Sequence, residues 1–196
     1  MTAIYVATED ALSEAVLDRI FQFFDVDIEV ITWMRKNGIG YLQSKFPELV
    51  RLAGSVPVLM LVDLDRKECA PALLRDWLQN VALPDGLLFR VAVREVEAWL
   101  LADHEAFAEF ARTPARQLPD KPDELEDPKQ FLLNLVRRYA RRPTKDALLP
   151  RKGAVSKVGV GYNTELIRFV KEIWRPDRAA EYSDSLARMI PRVQAL

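Results

Sequence analysis

The sequence carries very little sulfur and imidazole: one cysteine, Cys69, and one histidine, His104, in 196 residues. A lone cysteine forms no intrachain disulfide and no thiolate zinc cluster, and without a second histidine the usual transition-metal sites lack their donors. Long apolar runs are missing as well. The longest has the length of one strand, far short of the roughly 20 residues that span a bilayer, so no membrane segment is expected. No basic stretch leading into an apolar one opens the chain, since Met1–Val6 runs into acidic Glu9 and Asp10; a cytoplasmic location is the resulting expectation. There is no Gly-x-x-x-x-Gly-Lys-Ser/Thr segment, so any coupling to ATP requires a separately encoded partner ATPase. Internal repeats and low-complexity segments are also absent.

What is present is enough apolar material, 49% of the residues, to bury one substantial core. The formal net charge of −1 hides a local asymmetry. Between Arg137 and Lys157 eight basic residues face a single acid, Asp146, and just before them Asp120, Asp123, Glu124, Glu126 and Asp127 face only Lys121. Such a basic block attracts phosphates by releasing their condensed counterions, with Arg138, Arg141, Arg142, Arg151 and Lys152 as candidate nucleic-acid contacts. The plainer alternative is a solvated face paired with the acidic loop.

Along the chain, "AIYVA" reads as a strand and "EDALSEAVLDRIFQFF" as a helix, with Leu12, Val16, Ile20 and Phe23 at helical spacing. "DIEVITW" is β-branched and aromatic, "RKNGIG" is a loop, and a helix is expected over 41–52. "PVLMLVDL" is apolar at successive positions, the mark of a central strand covered on both faces. A helix fits "APALLRDWLQNVA", and "LLFRVAV" supplies a fourth strand. Strands alternating with helices predict an α/β domain over 1–112, a parallel sheet with helices on both faces. The rest, 113–196, is expected to be a helical C-terminal extension packed on it. Within that half of the chain, Asp127–Pro128 is an N-cap and first-turn pair, Asn163 or Thr164 can cap the next helix, "KGAVSKVGVGY" is a loop, and a last helix runs from Ser183. "EVEAWLLADHEAFAEFA" reads as one helix, with Trp99 in the core.

In a parallel sheet, ligands bind beyond the carboxyl ends of the strands, and here those ends are acidic: Glu9 and Asp10 after the first strand, Asp63 and Asp65 after the third, Glu95 and Glu97 after the fourth. Gathered carboxylates repel one another, and a divalent cation relieves the repulsion. Mg²⁺ (or Mn²⁺) takes oxygen ligands, typically one or two carboxylates with waters and substrate phosphates. In Asp63-Leu64-Asp65 the leucine can turn into the core while both acids approach one side. Local roles compete with this reading: one aspartate can cap the next helix while the other pairs with Arg66 or Lys67, and Glu95 and Glu97 can complement a helix dipole. His104 is expected to be solvated and Cys69 to be a small buried hydrophobe.

Glu9 with Asp63-x-Asp65 resembles a TOPRIM domain, the fold shared by topoisomerases, primases and nucleases of the overcoming-lysogenization-defect family. The likeness covers roughly residues 1–105. It implies Mg²⁺ held by Glu9, Asp63 and Asp65 for phosphoryl transfer, with Glu95 or Glu97 toward a second ion and a lysine near the metals, Lys157 or else Lys152. One position departs from the pattern: Asp10 stands where the family usually has glycine. "VATEDALSEAVL", "LVDLDRKECAPALLRDWL", "FRVAVREVEAWLLAD", "DPKQFLLNL" and "WRPDRAAEYSDSLARMI" also resemble a group of uncharacterised bacterial proteins with an Arg-Glu-x-Glu-Ala-Trp motif. The function expected from the first resemblance is an Mg²⁺-dependent nuclease acting on DNA or RNA, in defence or DNA processing, with Glu9, Asp63, Asp65 and Lys157 catalytic. Two alternatives stand beside it: a non-catalytic TOPRIM-like subunit working with a partner, and a receiver-like phosphoacceptor, although receivers carry a small hydroxyl residue where this chain has Arg94-Glu95. Oligomeric state is not legible.

Overall fold

The computed structural model describes residues 1–35, 38–79 and 81–196. Lys36 and Asn37 of the expected 35–40 loop, and Asn80 of the expected 70–82 helix, lie outside the described residues. The first half of the chain alternates strand and helix: β1 (Thr2–Thr8), α1 (Ala11–Phe23), β2 (Ile28–Arg35), α2 (Ile39–Leu52), β3 (Val58–Asp63), α3 (Ala70–Leu78) and β4 (Leu87–Ala92). The four strands form one parallel sheet in the order β2-β1-β3-β4. The chain leaves β1 to one side for β2, then crosses to the other side for β3 and β4. Such a reversal opens a crevice between the carboxyl ends of β1 and β3.

Successive residues of the central strands face opposite layers, and both layers are apolar. Ile4, Val6, Leu59 and Leu61 face a core shared with α1 and the C-terminal helices. Ala7, Val58, Met60 and Val62 face a second core built with Leu42, Phe46 and Leu49 of α2 and Leu73 and Trp77 of α3. Phe46, Trp77 and Phe89 meet there edge to face, with centroids 5.3 to 5.9 Å apart, the arrangement that aromatic quadrupoles favour. The α/β architecture expected from the sequence is therefore present, with helices on both faces.

The second half adds α4 (Val96–Ala102), α5 (His104–Ala111), α6 (Pro128–Tyr139), α7 (Arg142–Leu148), α8 (Tyr162–Glu172), α9 (Pro176–Ala179) and α10 (Asp184–Gln194). The segment expected as one helix over 95–111 breaks at Asp103. That residue is fully buried; its Oδ1 accepts the Ala106 N–H at 3.2 Å and its Oδ2 the Arg175 N–H at 2.8 Å. A side chain that bonds the backbone locally competes with the helix ladder and starts a new helix instead. Trp99 is in the core as expected. Its Nε1 donates to Ser185 Oγ at 2.7 Å, and its carbonyl accepts from Trp174 Nε1 at 3.0 Å. The segments around Trp99, Trp174 and Ser185, far apart in sequence, thus close on one another.

Other expectations need correction. α6 ends at Tyr139, and the following residues form α7, with Pro143 in its first turn, where a missing N–H is tolerated. α8 starts at Tyr162 after Gly161 and takes no cap from Asn163 or Thr164. His104 is half-buried: its ring lies 3.9 Å from the Tyr182 ring, and Nε2 pairs with the Pro119 carbonyl at 3.1 Å. Cys69 is half-exposed ahead of α3. Among the described residues no helix is long and apolar enough to cross a membrane.

Asp103→Ala removes the acceptor of two backbone N–H groups and is expected to cost about 2–3 kcal/mol, the usual penalty for stranding buried donors. Urea unfolding with an unchanged m-value measures it.

Candidate functional site

The strand ends are tied together by their own acids. Glu9 follows β1 and its Oε1 accepts the Asp63 N–H at 2.9 Å; Asp63, the last residue of β3, accepts the Val96 N–H on Oδ1 at 3.1 Å. Each carboxylate reaches across the crevice to satisfy a backbone donor on the next segment, so β1, β3 and the start of α4 are joined in series. Asp10 has a local task. It caps α1 by accepting the Ser13 N–H at 2.8 Å.

Leu64 is buried in the second core, and the chain then turns sharply at Asp65, whose φ of 50° is left-handed, a region aspartate tolerates better than most residues. Backbone bonds hold the turn: the Asp65 N–H donates to the Arg94 carbonyl at 2.9 Å, and the Arg94 guanidinium donates to the carbonyls of Asp65 and Lys67 at 3.1 and 2.7 Å. The Asp65 side chain is exposed, near enough for its charge to act on Glu9.

Glu95 and Glu97 face a cation that the sequence reading did not assign. Lys129, in the first turn of α6, places Nζ 3.2 Å from Glu95 Oε1 and 3.4 Å from Glu97 Oε1, while its backbone N–H donates to Glu95 Oε2 at 3.1 Å. Glu97 is 2% exposed. Its Oε1 accepts the Tyr162 hydroxyl at 2.8 Å, and its Oε2 has no hydrogen-bond partner. The Asp127–Pro128 cap signals where α6 begins, but which carboxylates its first turn meets is a tertiary fact. Tyr162 sits at the end of the glycine-punctuated loop and had no signal of its own.

Crowding and burial raise the carboxyl pKa values. Burial lifts Glu9 from its ordinary 4.5 to about 7; the amide of Asp63 opposes the rise, and the charges of Asp65 and Asp10 add to it. Asp63 is pushed well above the carboxylate range by burial and then by Glu97 and Glu9. Burial also raises Glu97, against the pull of Lys129. Burial works against the Lys129 charge, yet Glu97 and Glu95 hold its ammonium above the usual lysine range. The Tyr162 phenol is raised by burial and by Glu97, so it donates to Glu97 as a neutral hydroxyl.

Among the described residues no three acidic, cysteine or histidine side chains stand as a ready ligand set. The donors on hand are all oxygens, Glu9 and Asp63 form no ion pair among the described residues, and one buried glutamate oxygen is unpartnered. That chemistry suits a hard cation bound through one or two carboxylates and water, and it excludes a soft-metal centre.

Lys157 is exposed in the loop between α7 and α8, and Lys129 is the lysine that reaches the acids. The basic candidates separate into two groups. Arg142, Arg151 and Lys152, joined by Lys145, line a cavity of about 610 Å³; Arg138, stacked 5.1 Å over the Tyr139 ring, and Arg141 lie outside its lining. Among the described residues no acid of the 120–127 loop forms an ion pair with this block. Asp123 accepts from Ser183 Oγ and the Ser185 N–H, Asp127 caps α6, and Glu124 pairs with Lys121. Arg142 has Asp146 at 2.9 Å, in an exposed pair of the kind that contributes little.

A family model described as a domain of unknown function, DUF4276, matches residues 7–163, a span that includes Glu9, Asp63, Glu95, Glu97, Lys129 and Tyr162. No curated protein and no solved structure matches the chain.

A carboxyl whose pKa is raised by folding binds its proton more tightly in the folded state, a contribution to stability that falls as pH rises between the unfolded and folded values. For Glu9 that contribution is full below 4.5 and is lost as pH rises through about 7. Glu9→Gln, which keeps an acceptor for the Asp63 amide without the charge, is expected to melt above the parent at pH 8 and at or below it at pH 5. Calorimetry at both pH values reads the crossover.

Proposed function

The chain belongs to the DUF4276 family, and we propose that it binds a divalent cation, Mg²⁺ or Mn²⁺, between the ends of β1 and β3 and hydrolyses nucleic-acid phosphodiesters, as a TOPRIM-like protein would. One observation carries the reading. Where the strand order reverses, Glu9 just past β1 accepts the backbone N–H of Asp63 at the end of β3, the Glu9 charge acts on the Asp63 carboxyl, and neither acid forms an ion pair among the described residues.

Glu9 and Asp63 would hold the ion, and Asp65 would approach from the solvent side through water. When bound, such an ion polarises a phosphate and lowers the pKa of its water. The other tasks belong to the protein. Lys129 occupies the place beside Glu95 and Glu97 that a second ion would otherwise take, which favours a one-ion arrangement. Tyr162 fixes Glu97 and ends the loop that starts at the basic cavity, so the segment carrying Arg151 and Lys152 runs on to the residue that holds Glu97. Those residues would track the phosphate backbone without reading its sequence.

A second reading has its own support. The Lys129 ammonium already supplies Glu95 and Glu97 with a cation, as suits a non-catalytic subunit that works with a partner, such as an ATPase. The two readings part on metal. In the enzyme, Mn²⁺ at saturating concentration raises the melting temperature at pH 8 by several degrees, and the shift is absent in Asp63→Ala. Nicking of plasmid DNA or RNA requires the ion and falls at least about 100-fold in Asp63→Ala. Charge reversal at Arg151 and Lys152 weakens substrate binding about tenfold and lowers the salt slope by about 2. Activity that survives Asp63→Ala in purified protein rejects the enzyme reading, and absence of any Mn²⁺ shift selects the subunit.

A further inference from the structure

We infer that the outer edge of β4 is a docking groove for an extended acidic peptide segment of a partner protein, which would join the sheet as a fifth strand. The sheet has two edges, and they are built differently. On the β2 edge, pairing with β1 shifts between Ile4 and Tyr5, leaving Ile31 as an extra residue. A bulge of this kind twists an edge away from further pairing. β4 pairs with β3 in unbroken register from Leu87 to Ala92. The Val58 N–H donates to the Gly86 carbonyl at 2.8 Å and the Leu64 N–H to the Ala92 carbonyl at 2.9 Å. These two bonds fix the phase: even-numbered residues of β4 turn their backbone groups toward β3, so Phe89 and Val91 turn theirs outward.

A cavity of about 280 Å³ runs along this edge, walled by Pro71 and Leu74 on the α3 side and by Arg188 of α10 on the other. The lining contains no acid. Arg90 projects from β4 with a buried Nε that has no hydrogen-bond partner. Arg188 and Arg192 lie one turn apart on α10, and the charge of Arg192 acts on Arg90. None of the three arginines has an ion pair or hydrogen bond among the described residues. Three like charges gathered without an acid call for an anionic partner. Backbone donors and acceptors at every second residue call for another extended polypeptide, the pairing used in strand addition. A phosphodiester chain supplies no donors at that spacing. A second copy of this chain fits poorly, because edge-to-edge pairing of two β4 strands would bring their arginines together.

The test uses the full chain with a fluorescein-labelled Val-Glu-Val-Glu-Val-Glu-Val peptide and its lysine counterpart. The acidic peptide is expected to bind at least about tenfold more tightly than the basic one and to weaken with salt. Arg188→Glu with Arg192→Glu, both exposed on α10, should abolish that preference while leaving the melting temperature of the free protein unchanged. Amide exchange gives the decisive readout. On binding, the Phe89 and Val91 amides slow, whereas those of Leu88 and Arg90 are protected with or without peptide. Equal binding of the two peptides overturns the inference, as does unchanged exchange at Phe89 and Val91 under millimolar acidic peptide. Concentration-dependent protection of those amides in the free protein would assign the edge to a second copy. Their protection by a single-stranded oligonucleotide would assign it to nucleic acid. Either result also overturns it.

Discussion

The backbone N–H groups of Asp63, at the end of β3, and of Val96, at the start of α4, lie at the carboxyl edge of the sheet, where the parallel ladder runs out of partners. Glu9 and Asp63 accept from them. Two donors are thereby satisfied at the crevice, and β1, β3 and the α4 entrance are locked in register. The same bonds bring negative charges together in a partly dehydrated place, so Glu9 titrates near 7 and Asp63 well above its ordinary value. Stability and charge tension come from one pair of contacts. A bound cation or a bound proton can relieve that tension, and neutral pH sits between the two regimes.

Lys129 relieves part of the tension internally. Lys129 and Tyr162 come from the second half of the chain, yet they complete the glutamates that follow β4. The C-terminal helices therefore help build the site as well as cover the sheet. Their own anchoring depends on Trp99 and Asp103, which bond to Ser185, Trp174 and Arg175. The segment "EVEAWLLAD" thus serves two ends: its first residues face the ammonium, and its later ones bond the segments around Trp174, Arg175 and Ser185.

Much of this was legible before any coordinates. "VLMLVD" is apolar at successive positions because both faces of β3 are covered, and a run of that kind announces itself in a sequence. The Asp127–Pro128 cap and the start of the last helix at Ser183 are local features, visible in a few residues. Lys129 was not legible, because a lysine in the first turn of a helix normally lies in solvent, and only packing of α6 against α4 sets it between two glutamates. Lys157 looked plausible for the opposite reason: a glycine-punctuated loop suggests a site, yet its side chain is exposed. The break at Asp103 was hidden as well, since the helical period runs straight through it and its local bond to the Ala106 N–H is joined by one from Arg175, 72 residues away.

The two ends of β4 connect the acidic crevice with the basic edge. Beyond Ala92 the strand leads through Val93 to Arg94, whose guanidinium holds the carbonyls of Asp65 and Lys67, and on to Glu95 at the Lys129 ammonium. The open edge, the Asp65 turn and Glu95 therefore share one short stretch of backbone. Packed strands move as units, because their neighbours leave few alternative positions. A strand added at Phe89 and Val91 would stiffen the segment that positions Asp65 against Glu9, and would do so without touching either acid. Coupling of this form needs no conformational switch elsewhere in the fold: ordering one strand lowers the entropy cost of assembling the carboxylates at its end.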